Sequence, residues 1–282
     1  MVDKIPGYVY NVGRQTEGEY RPNSLSGNEI LKNGEVSKTR KQVDYVIEDG
    51  VMRIRIDNPE THNGLNWIGI NQLADCFEML KDKSIKVAVV TGNEQYFYTG
   101  GRVDPKVEGE KEKYAEAIDR YSKLMATITT PMIAAVSGNC MKAGMGLLEK
   151  CDFAIAKKGV KFSYPEVRMG GVPMMVMAET FGNMPKKRAL EAYLTSWDFS
   201  AEDAYTMGLV NRVVEPEAFW QTVEEFVRVF LDTPPALVEM TRRAFFDMEN
   251  LPDQRTRAEY AMNMLRTEVL TTMAKTETKY DI

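Results

Sequence analysis

The sequence contains a single histidine, His62, and only three cysteines, Cys76, Cys140 and Cys151, among 282 residues. So few imidazole and thiol groups exclude a Cys/His metal cluster and argue against a histidine-based catalytic triad. Because the cysteines are odd in number and scattered, they also argue against a disulfide framework and for a reducing, cytoplasmic setting. We therefore expect buried cysteines, an exposed His62 and no metal site.

Long apolar runs and an excess of basic residues are also missing. No stretch approaches the roughly 18 apolar residues that span a bilayer, and the first residues lack the apolar segment of a secretory signal. The formal net charge is -5, and no basic stripe is present that would track a nucleic acid. These features predict a soluble cytoplasmic protein that binds neither membranes nor nucleic acids.

The chain divides into three parts by its pattern. Residues 1–42 are polar, rich in glycine and without apolar periodicity, which predicts an extended or partly disordered arm. Residues 43–215 alternate strand-like and helix-like segments, with short runs that are apolar on both faces at residues 87–90, 132–136 and 153–156. Such buried runs between helices indicate an α/β fold with parallel strands. Residues 216–282 are almost entirely helix-patterned and predict a helical C-terminal cap.

Two turns after the apolar runs are suited to holding negative charge. The paired glycines Gly100 and Gly101 allow a backbone N–H to approach a ligand without obstruction by a Cβ. Residues 137–146 place small side chains at the start of a short helix, whose first turn exposes N–H groups and a partial positive charge. Both turns could therefore stabilise a developing oxyanion.

Several motifs follow one another in a specific order: Asn58-Pro59-Glu60, Asn63-Gly64-Leu65-Asn66, Val89-Val90-Thr91-Gly92, Phe97-Tyr98-Thr99-Gly100-Gly101, Pro131 through Gly138, Cys151-Asp152, Phe162 through Val167, and Ala204 through Asn211. In order and spacing they resemble the crotonase superfamily, the enoyl-CoA hydratase/isomerase family, over about residues 45–235. The resemblance implies an α/β spiral of ββα units with a helical cap, assembled as a homotrimer or a dimer of trimers. It also implies a coenzyme A thioester as substrate and no permanently bound cofactor.

The resemblance assigns roles to individual positions. The backbone N–H groups of Gly101 and Ala143 would hold the thioester oxygen, and Glu166 would be the catalytic carboxylate. An α-proton is barely acidic unless the enolate oxygen is stabilised, and one such donor is worth roughly 3–4 kcal/mol. A pocket that excludes water would raise the pKa of Glu166 and suit it for proton transfer.

A wider set of residues would bind the substrate or coenzyme A: Asn63, Gly64, Leu65, Thr99, Gly100, Arg102, Met141 and Gly144. Arg102 could contact a phosphate or the adenine end of coenzyme A, or simply pair with Asp104. Methionines near the acyl site could form an adaptable pocket for a branched, cyclic or aromatic acyl group, or could be plain core. Tyr98 and Tyr164 are secondary candidates as hydroxyl donors.

One departure from the family bears on the reaction. Family hydratases carry a second glutamate where this chain has Gly146. With a single carboxylate, Glu166 can still remove a proton and return it two carbons away, which favours double-bond isomerisation over hydration. Glu149 could supply a second carboxylate, although its neighbour Lys150 suggests a solvated or ion-paired side chain. Two alternatives stay open: a hydratase or hydratase/lyase acting on a bulky, cyclic or aromatic acyl-CoA, and a non-catalytic protein that binds acyl thioesters.

Overall fold

The computed structural model describes residues 41–276. The predicted N-terminal arm, residues 1–42, therefore lies almost entirely outside the described residues. The described chain opens with a hairpin of two antiparallel strands, β1 (Val43–Glu48) and β2 (Val51–Ile56). Asp49 and Gly50 connect them with φ angles of 50° and 81°, which is the left-handed backbone that a two-residue hairpin turn requires.

The larger sheet has six strands in the order β1-β2-β3-β5-β7-β10. From β2 onward all neighbours are parallel, and the added strands are β3 (Val87–Thr91), β5 (Met132–Val136), β7 (Phe153–Lys157) and β10 (Arg212–Val214). All residues of β3 and β5 are buried, because helices cover both faces of the sheet. This explains why these segments are apolar without alternation.

The smaller sheet has four strands in the order β4-β6-β8-β9. They are β4 (Tyr96–Tyr98), β6 (Asn139–Met141), β8 (Lys161–Ser163) and β9 (Phe199–Ser200). Strands β4, β6 and β8 run parallel, whereas β9 is antiparallel to β8. Each of these three parallel strands follows a strand of the larger sheet after a short turn, so the chain repeatedly winds from one sheet to the other.

Helices fill the connections: α1 (Trp67–Met79), α2 (Glu110–Met125), α3 (Ala143–Lys150), α4 (Met174–Thr180), α5 (Lys186–Thr195), α6 (Ala201–Met207), α7 (Phe219–Asp232), α8 (Pro235–Glu249), α9 (Gln254–Met264) and α10 (Leu270–Ala274). Strong N-caps begin several of them; Ser200, for example, forms a capping box with Asp203. The apolar stripe of α7, including Phe219 and Val223, packs against the larger sheet.

The predicted α/β class and the helical C-terminal region are confirmed. Within the helical C-terminal region, a π-helical turn at Leu265–Val269 lies between α9 and α10. The three cysteines are free and buried, and His62 is exposed. None of the helices between residues 41 and 276 combines the length and the apolar character that crossing a membrane requires.

Candidate active site

Three of the predicted catalytic groups follow neighbouring strands of the smaller sheet. Strands β4, β6 and β8 are parallel, so their carboxyl ends lie at the same edge. Gly101, Ala143 and Glu166 stand just beyond these ends. Ligands of parallel sheets bind at such an edge, and the fold therefore brings two small residues and one carboxylate together from distant parts of the sequence.

The two proposed oxyanion donors come from segments in direct contact. A Cβ placed on Gly100 would lie 3.2 Å from the amide nitrogen of Ala143, which shows how closely the turn after β4 approaches the start of α3. Leu65 holds that turn from the other side, because its N–H donates to the Gly100 carbonyl at 3.0 Å and its carbonyl accepts from the Arg102 N–H at 2.8 Å.

Both amides are available to a ligand. Within residues 41–276 the Gly101 N–H donates to no acceptor, and Gly101 is exposed. Ala143 is the first residue of α3, so its N–H has no acceptor within the helix. Two free N–H groups in adjacent segments are the arrangement that an oxyanion requires.

Lys142 precedes Ala143 in a strained conformation. Its φ and ψ are 54° and −129°, a region that glycine enters freely and that costs other residues about 1–3 kcal/mol. The Lys142 N–H donates to the Ser163 carbonyl at 3.3 Å, which ties the turn to β8. This backbone geometry fixes the direction in which the next N–H, that of Ala143, points.

Glu166 lies in a turn that keeps its side chain partly inside the protein. The Glu166 carbonyl accepts from the N–H groups of Met169 and Gly171 at 3.0 and 2.8 Å. One carboxylate oxygen, Oε2, is fully buried and has no hydrogen-bond partner. Burial raises the pKa of Glu166, while its own N–H and the positive charge of Lys142 oppose the increase. A carboxyl that holds a proton more tightly and lacks a fixed partner suits proton transfer.

Asn63 is fully buried and organises the loop around itself rather than facing outward. Its side-chain N–H groups donate to the carbonyls of Ile56 and Tyr96 at 3.0 and 2.7 Å, and its Oδ1 accepts from the Asn58 N–H at 2.8 Å. The amide group is thus occupied within the protein. Asn63 therefore positions neighbouring residues through its side chain, and its predicted part in substrate binding would fall to its backbone.

The other residues of the predicted coenzyme A set lie around this loop. Thr99 Oγ1 donates to the His62 carbonyl at 2.9 Å, and Leu65 is fully buried. The Arg102 side chain lies across Gly64, where a Cβ would meet its Cδ at 2.9 Å. Within the described range no ion pair joins Arg102 to Asp104, so the alternative of a simple pair is not what the structure contains.

The predicted methionine neighbourhood separates into a buried and an exposed part. Met145 is fully buried in the core and Met141 is half-buried at the end of β6. Four large apolar side chains that follow Glu166 are more than half exposed: Met169, Val172, Met174 and Met175. The segment that follows Glu166 thus exposes several large apolar side chains.

Tyr98 and Tyr164 both lie inside the core, at 3% and 0% exposure. Burial raises the pKa of each phenol, so both carry their protons at neutral pH. The Tyr164 ring packs edge-on against Tyr193, with 4.9 Å between centroids, and the Tyr164 hydroxyl oxygen has no hydrogen-bond partner. We read Tyr98 and Tyr164 as residues behind the site.

The expectation that Glu149 is solvated or paired with Lys150 is wrong. Glu149 Oε2 accepts from Asn183 Nδ2 at 2.6 Å, whereas Oε1 is buried without a partner. Burial raises the pKa of Glu149 to about 7, with smaller opposing effects of Asn183 and Lys150. Lys150 pairs instead with Glu179 of α4.

Two side chains near the site had no signal in the sequence. The stem of Glu179 covers Gly146, since a Cβ there would lie 3.7 Å from the Glu179 Cγ. The hydroxyl of Tyr114 lies against Gly101, where a Cβ would stand 1.5 Å from the hydroxyl oxygen. Both are contacts between separate helices and turns, which local sequence patterns do not encode.

Other parts of the described chain offer no competing centre. Among residues 41–276 no group of three or more His, Cys, Asp or Glu side chains could hold a metal ion. A polar surface cleft of about 450 Å³ lies at the opposite, amino-terminal edge of the smaller sheet, between Tyr96, Asn139 and Lys157. It contains none of the predicted site residues, and its lysines are already paired with glutamates.

Comparisons with known proteins bear on the family and on the fold. The sequence profile described as enoyl-CoA hydratase/isomerase matches residues 46–279. The chain is 28% identical over 207 residues to enoyl-CoA hydratase domain-containing protein 3, mitochondrial, of Xenopus laevis, covering 71% of this chain and 69% of that protein. It is 28% identical over 218 residues to hydroxycinnamoyl-CoA hydratase-lyase of Pseudomonas fluorescens, covering 73% and 78%. The crystal structure of human enoyl coenzyme A hydratase domain-containing protein 3 matches with a TM-score of 0.74 at 21% identity, covering 85% of this chain and 100% of that one, which shows a shared fold.

Proposed function

Because the chain belongs to the enoyl-CoA hydratase/isomerase family, we propose that it shifts the double bond of an enoyl-CoA thioester with Glu166 as the single proton carrier. The observation that carries this proposal is the shared edge of the smaller sheet. Two free N–H groups and a carboxylate with a buried, unpartnered oxygen follow the three parallel strands that end at this edge. No permanently bound cofactor is needed for this chemistry.

In the proposed reaction the thioester oxygen lies between the N–H groups of Gly101 and Ala143. Glu166 takes a proton from carbon, and the electrons of the broken C–H bond move into the conjugated enolate, whose oxygen becomes negative. The two N–H groups stabilise that charge. The protonated Glu166 then returns its proton two carbons away, and the double bond has moved without gain or loss of atoms.

The position of Gly146 supports isomerisation over hydration. Hydration requires a group to activate water as well as a group to deliver a proton, and two carboxylates commonly share this work. Gly146 has no side chain, and the Glu179 stem that covers it directs its carboxylate to Lys150. Glu166 is then the carboxylate that remains available for proton transfer at this edge of the smaller sheet.

A second candidate function is hydration, with or without cleavage, of a bulky, cyclic or aromatic acyl-CoA. Glu149 is the observation that favours it, because its pKa of about 7 and its buried, unpartnered Oε1 suit a proton-carrying group. The exposed apolar residues beyond Glu166 would accept a bulky acyl group. A third reading, a protein that only binds acyl thioesters, would not require a carboxylate with a buried, unpartnered oxygen next to the predicted oxyanion donors.

Other features of the chain support coenzyme A binding, assembly into a homo-oligomer and a cytoplasmic setting. The Arg102 side chain, whose Cγ and Cδ lie against Gly64, would contact a phosphate of coenzyme A with its guanidinium. Large apolar side chains are exposed on the C-terminal helices, among them Phe245, Phe246, Leu270 and Met273. Such surfaces mark contacts between protein chains, which supports a homotrimer or a dimer of trimers. Free, buried thiols fit a reducing, cytoplasmic setting.

Incubation with saturated, 2-enoyl and 3-enoyl thioesters in heavy water separates these functions by product mass. Isomerisation moves the double bond without adding water, and it incorporates deuterium whenever the proton on Glu166 exchanges with solvent before its return. Hydration adds the mass of water, and cleavage shortens the acyl chain. We expect Glu166→Gln to abolish deuterium incorporation, whereas Glu116→Gln, an exposed glutamate of α2, should leave it unchanged. Full turnover by Glu166→Gln would show that another group is the base.

A further inference from the structure

Tyr114 of α2 reaches across to the turn that carries one of the proposed oxyanion donors. Its ring is half-buried and packs against the main core. A Cβ on Gly101 would lie 1.5 Å from the Tyr114 hydroxyl oxygen and 2.3 Å from the adjoining ring carbon. The hydroxyl thus occupies the space that any side chain at position 101 would need, in contact with the glycine that presents the N–H.

The hydroxyl of Tyr114 is not used by the protein. Within residues 41–276 it has no hydrogen-bond partner, and burial alone raises the pKa of the phenol. The phenol therefore keeps its proton at neutral pH and is available as a donor. The hydroxyl oxygen is not fully buried, so a ligand that reaches the exposed Gly101 can also reach it. A partner from outside the chain, arriving at Gly101, would satisfy both the Gly101 N–H and this hydroxyl.

We propose that the Tyr114 hydroxyl is a third hydrogen-bond donor to the thioester oxygen, beside the N–H groups of Gly101 and Ala143. This inference rests on the proposed function and adds a catalytic residue to it. The phenol donates without losing its proton, so no covalent step is involved. Its hydrogen bond strengthens as the oxygen becomes negative, because bonds to ionised acceptors are about twice as strong as those between neutral groups. The hydroxyl would therefore stabilise the enolate more than the bound substrate.

A purely structural role predicts something different. If the hydroxyl only fills the volume of the missing Cβ, removing one oxygen atom from a half-buried ring changes packing slightly and leaves the reaction unaffected. Tyr121 offers a matched control, because it lies on the same helix, packs against Phe77 with 5.7 Å between ring centroids and also has a phenol whose pKa burial raises.

The test measures deuterium exchange by Tyr114→Phe and Tyr121→Phe at saturating enoyl-CoA. We expect Tyr114→Phe to lower kcat about 100-fold with little change in KM, the lower end of the effect of losing one oxyanion donor, while Tyr121→Phe retains the wild-type rate. Affinity for a coenzyme A analogue that mimics the enolate should fall by a similar factor in Tyr114→Phe only, and affinity for a saturated acyl-CoA should not change.

The outcomes separate this inference from the proposed function. If Glu166→Gln is inactive and Tyr114→Phe matches the wild type in exchange and in analogue affinity, Tyr114 is a packing residue and only this inference is overturned. Equal losses in Tyr114→Phe and Tyr121→Phe would also overturn it, since they would report on helix packing. If the wild type neither exchanges protons nor binds the analogue, the proposed function and the role of Tyr114 fall together.

Discussion

The Cα of Gly144 faces the carbonyl oxygen of Tyr98 so closely that a Cβ would lie 2.0 Å from that oxygen. This contact presses the first turn of α3 against the end of β4 and so sets the spacing between the two proposed donors. Backbone atoms cannot yield as the end of a flexible side chain can. The glycine is therefore required by the approach of two backbones.

We predict that Gly144→Ala lowers kcat/KM at least about 100-fold, because displacing one N–H removes most of an oxyanion donor's contribution. Gly146→Ala is the matched control on the same helix, since its Cβ would meet only the Glu179 side chain at 3.7 Å, an ordinary contact. Exchange rates and circular dichroism of both variants test this. Comparable activity of the two variants would contradict the importance of the Gly144 contact.

Gly101→Ala tests the neighbouring contact. The new methyl group would displace the Tyr114 ring, whose far end is free to move, and would leave the Gly101 N–H in place. We therefore expect Gly101→Ala to lose activity to about the same extent as Tyr114→Phe, roughly 100-fold. In the double variant the two losses should not multiply, because both remove the same hydroxyl from the site. A double-mutant cycle in kcat/KM measures this, and multiplicative losses would show that the two residues act separately.

The larger sheet could be predicted because its strands carry their own signal. Residues 132–136 are apolar on both faces and coincide with β5, since burial on both faces removes the need for alternation. Strands β4, β6 and β8 have three residues each, too few for a period to be visible. In the sequence, β4 and β6 are visible only through the glycine-bearing turns beside them and β8 only through the motif Phe162 through Val167, although these strands position every proposed catalytic group.

The candidate site was predictable where it depends on backbone and motif order, and not where it depends on contacts between helices. Gly101 and Ala143 stand in glycine-rich turns, but Tyr114 lies in a charged helix, and only the folded chain brings it to Gly101. The error at Glu149 has a local cause. Adjacent residues on a helix point in different directions, so Lys150 reaches Glu179 while Glu149 turns inward to Asn183.

Lys142 is expected to influence both stability and the pH dependence of the reaction. Its φ of 54° is strained for any residue with a side chain, so Lys142→Gly should increase the free energy of unfolding by about 1 kcal/mol after the entropy cost of glycine is subtracted.

Lys142→Met keeps the strain but removes the charge that lowers the pKa of Glu166. Because Glu166 acts as a base when deprotonated, the acidic limb of the pH–rate profile should move to higher pH in Lys142→Met. A limb that stays in place would show that this charge does not reach the carboxylate.

Glu149 should make the protein less stable as the pH rises. Its pKa is about 7 in the folded state, above the value of roughly 4.3 for an unfolded glutamate. Between these two values the folded chain binds more protons than the unfolded chain, so stability falls with increasing pH and the penalty is complete above about pH 7. Glu149→Gln removes this titration and should flatten the dependence of the free energy of unfolding on pH, by up to about 3 kcal/mol between roughly pH 5 and pH 8.

Urea unfolding at both pH values measures the difference, with Glu116→Gln as the exposed control. Parallel curves for wild type and Glu149→Gln would mean that Glu149 gains water or a counter-charge in solution and titrates normally.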